Sequence, residues 1–552
     1  MSKISRAADA QRKAETSRAV ENFMGGISYE YDPLETLKMV SASSIFGEPQ
    51  YYRDGEFSPA TMPDEKYITH KLFAPYSILP DSFEKMTTSQ IMEKLIDEAL
   101  DYDFKAVLEW AVTLRKDYLM RLNPQIIMVR AAVHPKRVSF SEAEKGLFSK
   151  LQKEVMQRAD EPASQLAYYL YKNKSKKGIP NILKRSWASR LEAASVYELF
   201  KYKNSGIGMI DTVRICHANS KYIDELMRTG TIKVEDDNST WEAKRAAKVS
   251  WKDILSTIRL GHMALLRNLR GIFSETEDEQ LCRSVLEQLK EGVKGGKQFP
   301  FRYFTAYKMI SNCNDIYHKG WVLDALEECI DLACDNMPKL HGRTMCLSDN
   351  SGSAWGTFNS EFGSVTVAEI DNLSSIITAR NSDEGYVGKF GDKLIVKPVL
   401  KRNGILSQCD ELTKNRTKDV GSATENGIWI FLRDAIDKKE HWDNIFIYSD
   451  QQAGHGGLYG TEESKKEYSR RGYGVFSFNY IDAAKLINEY RTRVNPKVNV
   501  FSVQTAGYSN AVIPEYGYRT NLLYGWTGKE LSFADTMIKF WNQADEKNNN
   551  SN

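Results

Sequence analysis

The sequence predicts a multidomain protein in which an α-solenoid of stacked helices is followed by an α/β domain. At 552 residues the chain is too long for a single hydrophobic core, so two or more domains are expected. Apolar residues recur at helical spacing through most of residues 26–335. Beyond residue 340 the pattern changes to short apolar runs that end in turn residues and alternate with helical segments, which is typical of a parallel sheet.

The composition is that of a soluble globular protein, with 41% hydrophobic and 27% charged residues and a net charge of +2. No apolar run is long enough to cross a bilayer, and the N-terminus lacks the apolar core of a signal peptide, so we expect a cytoplasmic protein with no membrane partner. Seven cysteines without a Cys-x-x-Cys pair suggest neither a disulfide framework nor a zinc site. The polar residues 1–25 are predicted to be a mobile tail and residues 544–552 a disordered one.

The helical region shows its period most clearly where Phe104, Val107, Leu108 and Ala111 fall at i, i+3, i+4 and i+7. Similar stripes follow at Ser141–Arg158, Ala163–Lys172, Ala188–Tyr202, Met209–Cys216, Ile254–Arg270, Glu279–Leu289 and Trp321–Asp335. Short breaks such as Asn123-Pro124 separate the stripes. Successive helices with short connections predict stacked helix pairs, although no clean repeat period is present.

Basic residues are concentrated in one part of this region. Residues 167–203 contain nine Lys or Arg against two Glu, a net charge of +7. Aromatic residues are interleaved with them, namely Tyr168, Tyr169, Tyr171, Trp187, Tyr197 and Tyr202. This pattern fits a phosphate-binding face with stacking platforms for bases, and it fits equally a solvated helix face balanced by acids elsewhere.

The α/β region opens with the apolar run Arg343–Ser348, which predicts a buried parallel strand. It ends in Asp349-Asn-Ser-Gly-Ser353, at the point where open α/β sheets place their ligands. The spacing Asp-x-Ser-x-Ser puts one carboxylate and two hydroxyls on a tight loop, and such oxygen ligands suit Mg²⁺, Mn²⁺ or Ca²⁺. The alternative is an ordinary turn, because Asp, Ser and Gly are common in turns.

The order of the following elements favours the metal-site interpretation. A helix is predicted over Val365–Arg380, then a strand pair over Tyr386–Val399, then a helix over Asn426–Ile436 that is preceded by Thr424. A second buried strand, beginning at Asn444, ends in Asp450.

With these motifs in order, residues 340–543 resemble a von Willebrand factor A domain, a Rossmann-like α/β fold with a metal-ion-dependent adhesion site. The resemblance implies a divalent cation, with Mg²⁺ expected first and Mn²⁺ or Ca²⁺ as alternatives. Its ligands, direct or through water, would be Asp349, Ser351, Ser353, Thr424 and Asp450. Two positions depart from the family pattern: Ser422-Ala423 stands where Gly-Gly is frequent, and Ala354 where Met is common.

The helical region resembles the TROVE module of the Ro autoantigen family. The resemblance is carried by Met263–Phe273, Pro300–Tyr307, and Lys201-Tyr-Lys203 followed by Arg214-Ile-Cys-His217. It implies a ring of HEAT-like repeats over residues 26–335, closed by the A-like domain. It also implies Y-type small noncoding RNA on the outer surface and single-stranded ends of misfolded RNA in a central hole. The RNA-binding residues would be Lys172, Lys174, Lys176, Lys177, Lys184, Arg185, Lys201, Lys203, His217, Arg267 and Arg302.

No catalytic residues are predicted, because His-Glu-x-x-His, Gly-x-Ser-x-Gly and phosphate-loop motifs are all missing from the sequence. The expected function is RNA binding in RNA quality control, or as an adaptor that recruits an exoribonuclease or other protein to the metal site. The alternative is a metal-dependent protein-interaction scaffold with no RNA role. A monomer is expected, since one chain would close the ring by itself.

Overall fold

The computed structural model describes residues 19–21, 27–29, 33–42, 52–53, 88–173, 177–202, 209–230, 232, 240–355, 357–359, 365–450, 458, 460–473, 481–505, 519–524 and 529–550. The predicted RNA-binding residues Lys174, Lys176 and Lys203 lie outside these ranges. The chain divides into two compact units. The helical unit comprises residues 31–49 and 87–248, and the mixed unit comprises residues 1–30, 50–86 and 249–552.

The helical unit contains twelve described helices, and they confirm the helical prediction. They are α1 (Pro33–Ala42), α2 (Thr88–Tyr102), α3 (Phe104–Lys116), α4 (Asn123–Val133), α5 (Arg137–Ala143), α6 (Leu147–Val155), α7 (Glu161–Asn173), α8 (Asn181–Glu192), α9 (Val196–Tyr202), α10 (Met209–Cys216), α11 (Lys221–Thr229) and α12 (Trp241–Ala246). The predicted break at Asn123-Pro124 is the start of α4, because proline in the first turn removes only an N–H that has no partner there.

Apolar stripes and buried amides hold these helices together. Phe104, Val107, Leu108 and Ala111 are all buried, as their spacing predicts. The Nε2 of Gln165 on α7 donates to Gln125 on α4, and its Oε1 accepts from Gln152 on α6 and from the Trp187 indole on α8, each at 2.7 Å. One glutamine thus links four helices through three buried hydrogen bonds, which specifies how they pack.

The mixed unit begins, in described residues, with short strands. β1 (Ala19–Glu21) pairs antiparallel with β2 (Ile27–Tyr29), and the mobile tail over residues 1–25 remains a prediction. β3 (Tyr52–Arg53) later joins a small antiparallel sheet with β5 (Thr357–Asn359) and β6 (Val365–Thr366). Five helices precede the main sheet: α13 (Trp251–Thr257), α14 (His262–Glu275), α15 (Glu279–Gly296), α16 (Pro300–Ser311) and α17 (Lys319–Cys334).

The main sheet has six strands and is mostly parallel, which confirms the predicted α/β fold. Its strands are β4 (Leu340–Asp349), β7 (Ser382–Phe390), β8 (Leu394–Pro398), β9 (Asn444–Ser449), β10 (Asn499–Gln504) and β11 (Thr520–Tyr524). They are arranged in the order β11-β10-β9-β4-β7-β8, with only the β7–β8 pair antiparallel. β4 lies in the interior of the sheet, and its last six residues are buried.

The helices that follow β4 are α18 (Val367–Arg380), α19 (Ile405–Thr413), α20 (Asn426–Asp437), α21 (Glu462–Arg470), α22 (Ala483–Arg493) and α23 (Glu530–Asn550). α18 starts with a capping box in which Thr366 and Glu369 each accept from the other's backbone N–H, close to the predicted start. α23 continues to Asn550, and Asp545 within it accepts from the buried Arg519 at 2.8 Å. The disordered tail over residues 544–552 remains a prediction.

A carboxylate ties α17 to the N-terminus of α19 within the mixed unit. Glu327 accepts from the backbone N–H of Leu406 at 2.7 Å and from the N–H and hydroxyl of Ser407 at 3.1 and 3.0 Å. These N–H groups would otherwise have no partner at a helix start, and the negative charge suits the helix dipole. No described helix has the length and apolar character needed to span a membrane.

We expect Glu327→Ala to lower the free energy of unfolding by about 1–3 kcal/mol, because it removes three hydrogen bonds to a helix N-terminus. Urea unfolding followed by circular dichroism measures the change. Glu328→Ala is the matched control, since the neighbouring Glu328 is exposed and pairs with Lys290 at the surface. It should change stability by no more than about 0.5 kcal/mol. Equal effects of the two substitutions would contradict the assignment.

Candidate functional site

The carboxyl ends of β4 and β9 form one end of the candidate site. The two strands are parallel neighbours, with Ser348 of β4 in register with Tyr448 of β9. Asp349, one residue after Ser348, and Asp450, two residues after Tyr448, therefore lie at the same edge of the sheet, and both are fully buried. This placement follows from parallel pairing, because equivalent strand ends must meet at one edge.

Three carboxylates converge at this edge. Oxygen atoms of Asp349, Glu425 and Asp450 all lie within 4.8 Å of one another, and the three residues are buried. An oxygen-only cluster of this kind suits a hard divalent cation, so the site is able to hold a metal ion. The cluster contains two of the five predicted ligands, Asp349 and Asp450, together with Glu425.

Glu425 was not identified from the sequence. It stands directly before α20, and its side chain makes no capping hydrogen bond to that helix. An acidic residue at a helix N-cap usually accepts from the helix backbone. Its position could have identified it, because Glu425 directly follows Thr424, which the A-domain resemblance predicts to be a metal ligand.

Asp349 is held by hydrogen bonds from uncharged donors. The backbone N–H of Ser351 donates to its Oδ1 at 2.8 Å, and the Ser449 hydroxyl donates to its Oδ2 at 2.5 Å. Burial raises the pKa of Asp349, and these two donors oppose that rise. No described cationic side chain pairs with Asp349.

The two predicted serine ligands lie together on the loop after β4. The hydroxyl oxygens of Ser351 and Ser353 are 3.3 Å apart, and Ser351 is buried. The intervening Gly352 donates its N–H to the carbonyl oxygen of Ser422 at 3.0 Å, and a Cβ there would lie 2.9 Å from that same oxygen. The glycine thus allows the serine loop to approach the segment that carries Thr424 and Glu425.

The hydroxyl of Thr424 is hydrogen-bonded to residues outside the carboxylate cluster. Its hydroxyl donates to Oδ1 of Asp392 at 2.7 Å and accepts from the N–H of Asn426 at 3.3 Å. These bonds use the donor and one acceptor position of the hydroxyl. Thr424 as a metal ligand remains a prediction.

Asn372 of α18 fixes the carboxyl end of β4 through hydrogen bonds. Its Oδ1 accepts from the Ser348 hydroxyl at 2.7 Å and from the Asn350 amide at 2.9 Å, and all three side chains are fully buried. A satisfied buried network of this kind orients the residues on either side of Asp349.

The predicted RNA-binding residues in the helical unit lie on α7 to α10 and their connections. Lys177, Arg185, Lys201 and His217 are exposed, and Lys184 is half-buried. His217 follows α10 in the left-handed conformation at φ 56°, and its backbone N–H donates to Val213, so it ends the helix. Lys184, Arg185 and Lys201 form no ion pair with a described residue.

Some of the basic charge of this segment is already paired. The ammonium of Lys172 on α7 lies 2.6 Å from a carboxylate oxygen of the buried Glu93, and Arg190 forms an ion pair with Glu198. The alternative of a balanced helix face therefore applies to these two residues.

Some of the interleaved aromatic residues are core residues, which corrects their interpretation as stacking platforms. Trp187 and Tyr169 are buried, and Tyr168 hydrogen-bonds to Glu93 and Arg130. In contrast, Tyr171 and Tyr197 are 64% and 49% exposed. A Lys ammonium lies near each exposed ring, Lys172 at 6.0 Å from Tyr171 and Lys201 at 5.7 Å from Tyr197.

The two remaining predicted RNA-binding residues belong to the mixed unit. Arg267 on α14 is exposed and makes no ion pair with a described residue. The guanidinium of Arg302 on α16 lies 5.2 Å from the centre of the Phe301 ring.

We expect Glu425→Gln to weaken binding of Mg²⁺ or Mn²⁺ by at least about tenfold, since the loss of even an outer partner of a metal site costs that much. Isothermal titration of protein stripped with EDTA measures the affinity, and Thr424→Val tested in parallel reports on the hydroxyl. Glu384→Gln is the control, because Glu384 is an exposed carboxylate on β7 that pairs with Arg343. Unchanged affinity in Glu425→Gln would remove this residue from the site.

Comparisons with known proteins give a family-model match and a structural match. Residues 225–320 match the TROVE domain model, and this range includes the motifs at Met263–Phe273 and Pro300–Tyr307. No curated protein sequence gives a significant match. The crystal structure of the Ro (RSR) protein of Deinococcus radiodurans matches with a TM-score of 0.58 and 16% sequence identity, over 80% of this chain and 93% of that chain. The chain therefore contains a TROVE domain sequence and has the architecture of the Deinococcus Ro protein, a helical region followed by a mostly parallel α/β sheet.

Proposed function

We propose that this protein binds small noncoding RNA of the Y type through the basic surface of its helical unit. The TROVE match over residues 225–320 carries the proposal of RNA binding, and the choice of surface rests on the exposed cations of the helical unit. The Ro architecture supports it, and no enzymatic family is indicated by the comparisons, so we propose a binding protein with no catalytic residues.

We define the basic surface by the exposed or half-buried residues Lys177, Lys184, Arg185, Lys201 and His217. The cations without a described ion pair, Lys184, Arg185 and Lys201, are the strongest contributors. A phosphate that approaches them displaces counterions and does not break a salt bridge within the protein. Lys172 contributes less, because its ammonium already pairs with Glu93.

Two exposed tyrosines would add contacts to unpaired bases. Tyr171 and Tyr197 present their rings to solvent beside Lys172 and Lys201. A base stacked on such a ring places its phosphate within reach of a neighbouring ammonium. This arrangement favours single-stranded loops and ends over regular duplex.

Further roles follow from the Ro resemblance and belong to the proposal. The helices would form a ring whose central hole takes single-stranded ends of misfolded RNA, with Arg267 and Arg302 among the RNA contacts. The protein would act as a monomer in RNA quality control in the cytoplasm. A divalent cation, with Mg²⁺ first, would be held by Asp349, Ser351, Ser353, Thr424 and Asp450, with Glu425 added. An exoribonuclease or another protein would dock at that site.

The second candidate function is a metal-dependent protein-interaction scaffold without an RNA role. The Lys172–Glu93 and Arg190–Glu198 ion pairs favour it, because they lower the positive potential of the segment. Salt separates the two candidates. Binding to phosphates should weaken steeply between about 50 and 200 mM salt, whereas a scaffold would show no salt-dependent affinity for RNA.

We expect the triple variant Lys184→Glu, Arg185→Glu, Lys201→Glu to weaken RNA binding by more than tenfold and to reduce its salt dependence, because three phosphate contacts are reversed. Filter binding with a structured small RNA, repeated over a salt series, measures both quantities. Lys145→Glu combined with Lys150→Glu is the control, since both lysines are exposed in the same unit and are not among the predicted RNA-binding residues. Equal losses in the two variants would indicate only a general charge effect.

We expect Tyr171→Ala and Tyr197→Ala each to weaken binding of single-stranded RNA by about 1–3 kcal/mol, the usual contribution of one stacked base. Binding of a duplex RNA should change little. Fluorescence anisotropy with labelled single-stranded and duplex RNA compares the two, and Tyr317→Ala, an exposed tyrosine of the mixed unit, is the control. A loss that is the same for both RNAs would argue against base stacking.

A further inference from the structure

Asp371 on α18 is a buried carboxylate that neither the fold nor the predicted ligand set explains. It has no exposed surface, and neither of its carboxyl oxygens has a hydrogen-bond partner. No described cationic side chain pairs with it. An unsatisfied buried polar group costs about 1–3 kcal/mol, and more when it is charged, so a partner for it is expected.

Asp371 lies next to the carboxylate cluster. α18 packs against β4 and β9, and Asn372, the following residue, is hydrogen-bonded to Ser348 and Asn350 on either side of Asp349. Burial raises the pKa of Asp371 well above its ordinary value, and the negative charges of Asp349 and Asp450 raise it further. The packing of α18 and the contacts of Asn372 therefore place Asp371 in the same buried region as the cluster, outside the three carboxylates that lie within 4.8 Å of one another.

Protein groups alone do not satisfy this carboxyl. The Thr505 hydroxyl lies nearby and favours the charged form, but neither oxygen of Asp371 makes a hydrogen bond of normal geometry with it. Protonation would remove the charge and let one oxygen donate, but the other carboxyl oxygen would still have no donor. The remaining source of donors is a ligand that brings its own hydrogen atoms into the site.

We propose that Asp371 is an outer carboxylate of the metal centre, which accepts hydrogen bonds from water ligands of a divalent cation held by Asp349, Glu425 and Asp450. The inference rests on the metal site proposed above and adds a residue from a fourth segment of the chain. Outer partners of this kind orient ligands and strengthen metal binding. Because Mg²⁺ keeps several of its waters when bound to proteins, the added acid favours a hydrated hard cation over zinc.

The added acid has opposite effects in the two states of the site. Without a cation, Asp371 places a fourth buried acid beside three others and destabilises the fold. With a cation, the same carboxyl contributes to binding. Its replacement by the isosteric amide should therefore stabilise the metal-free protein and weaken its affinity for the metal.

Asp371→Asn tests the proposal in the full-length protein at pH 8. In EDTA the melting temperature should be higher than that of the wild type, and Mg²⁺ and Mn²⁺ should bind about 10- to 100-fold more weakly in calorimetric titrations. Ser375→Ala is the matched control, because Ser375 lies one turn further along α18, has no exposed surface, and also has a hydroxyl without a hydrogen-bond partner. It should leave the metal affinity unchanged.

The other possible results contradict either the role of Asp371 alone or the metal site as a whole. An Asp371→Asn protein that is unfolded or less stable than the wild type in EDTA would show that the carboxyl has a structural role, and would overturn the proposal. Unchanged metal affinity in Asp371→Asn, while the wild type binds, would also overturn it and leave the metal site intact. A wild type that binds neither Mg²⁺ nor Mn²⁺ would overturn both the inference and the metal site, without bearing on RNA binding.

Discussion

Electrostatic repulsion among buried carboxylates at the carboxyl edge of the sheet is the constraint on which the candidate metal centre depends. Parallel pairing of β4 and β9 brings Asp349 and Asp450 to one edge, and Glu425 joins them within 4.8 Å. Two like charges at that separation repel by about 3–4 kcal/mol at an effective dielectric constant of about 20. A bound divalent cation would offset this repulsion with the oxygen ligands that it prefers.

The surrounding structure keeps these carboxylates in place against their repulsion. Ser449 and the backbone of Ser351 donate to Asp349, and Asn372 links Ser348 to Asn350 across the end of β4. Rigid elements therefore carry the site: two strand ends, the start of α20 and the side of α18. A site of this kind is preorganised for a cation, because the cost of assembling its ligands is met when the chain folds.

The helical unit differs from the metal centre because its candidate ligand, RNA, is a long polyanion. What matters there is which charges remain available after internal pairing. Glu93 and Glu198 pair with two of the basic side chains, and the core takes Trp187 and Tyr169. The surface that is left is smaller than the composition of residues 167–203 indicates. It nevertheless keeps exposed tyrosines beside lysines, an arrangement that suits unpaired nucleotides.

The sequence alone determined those features that depend on neighbouring residues. Helical periodicity identified the buried stripe of α3, apolar runs with turn residues identified β4 and β9, and their ends placed Asp349 and Asp450 together. Only the tertiary structure brought Glu425 and Asp371 to that edge, turned Thr424 towards Asp392, and paired Lys172 with Glu93 across 79 positions of the chain. The physical reason is that local spacing fixes the face on which a side chain lies, whereas its partner is decided by the packing of segments far apart in the chain.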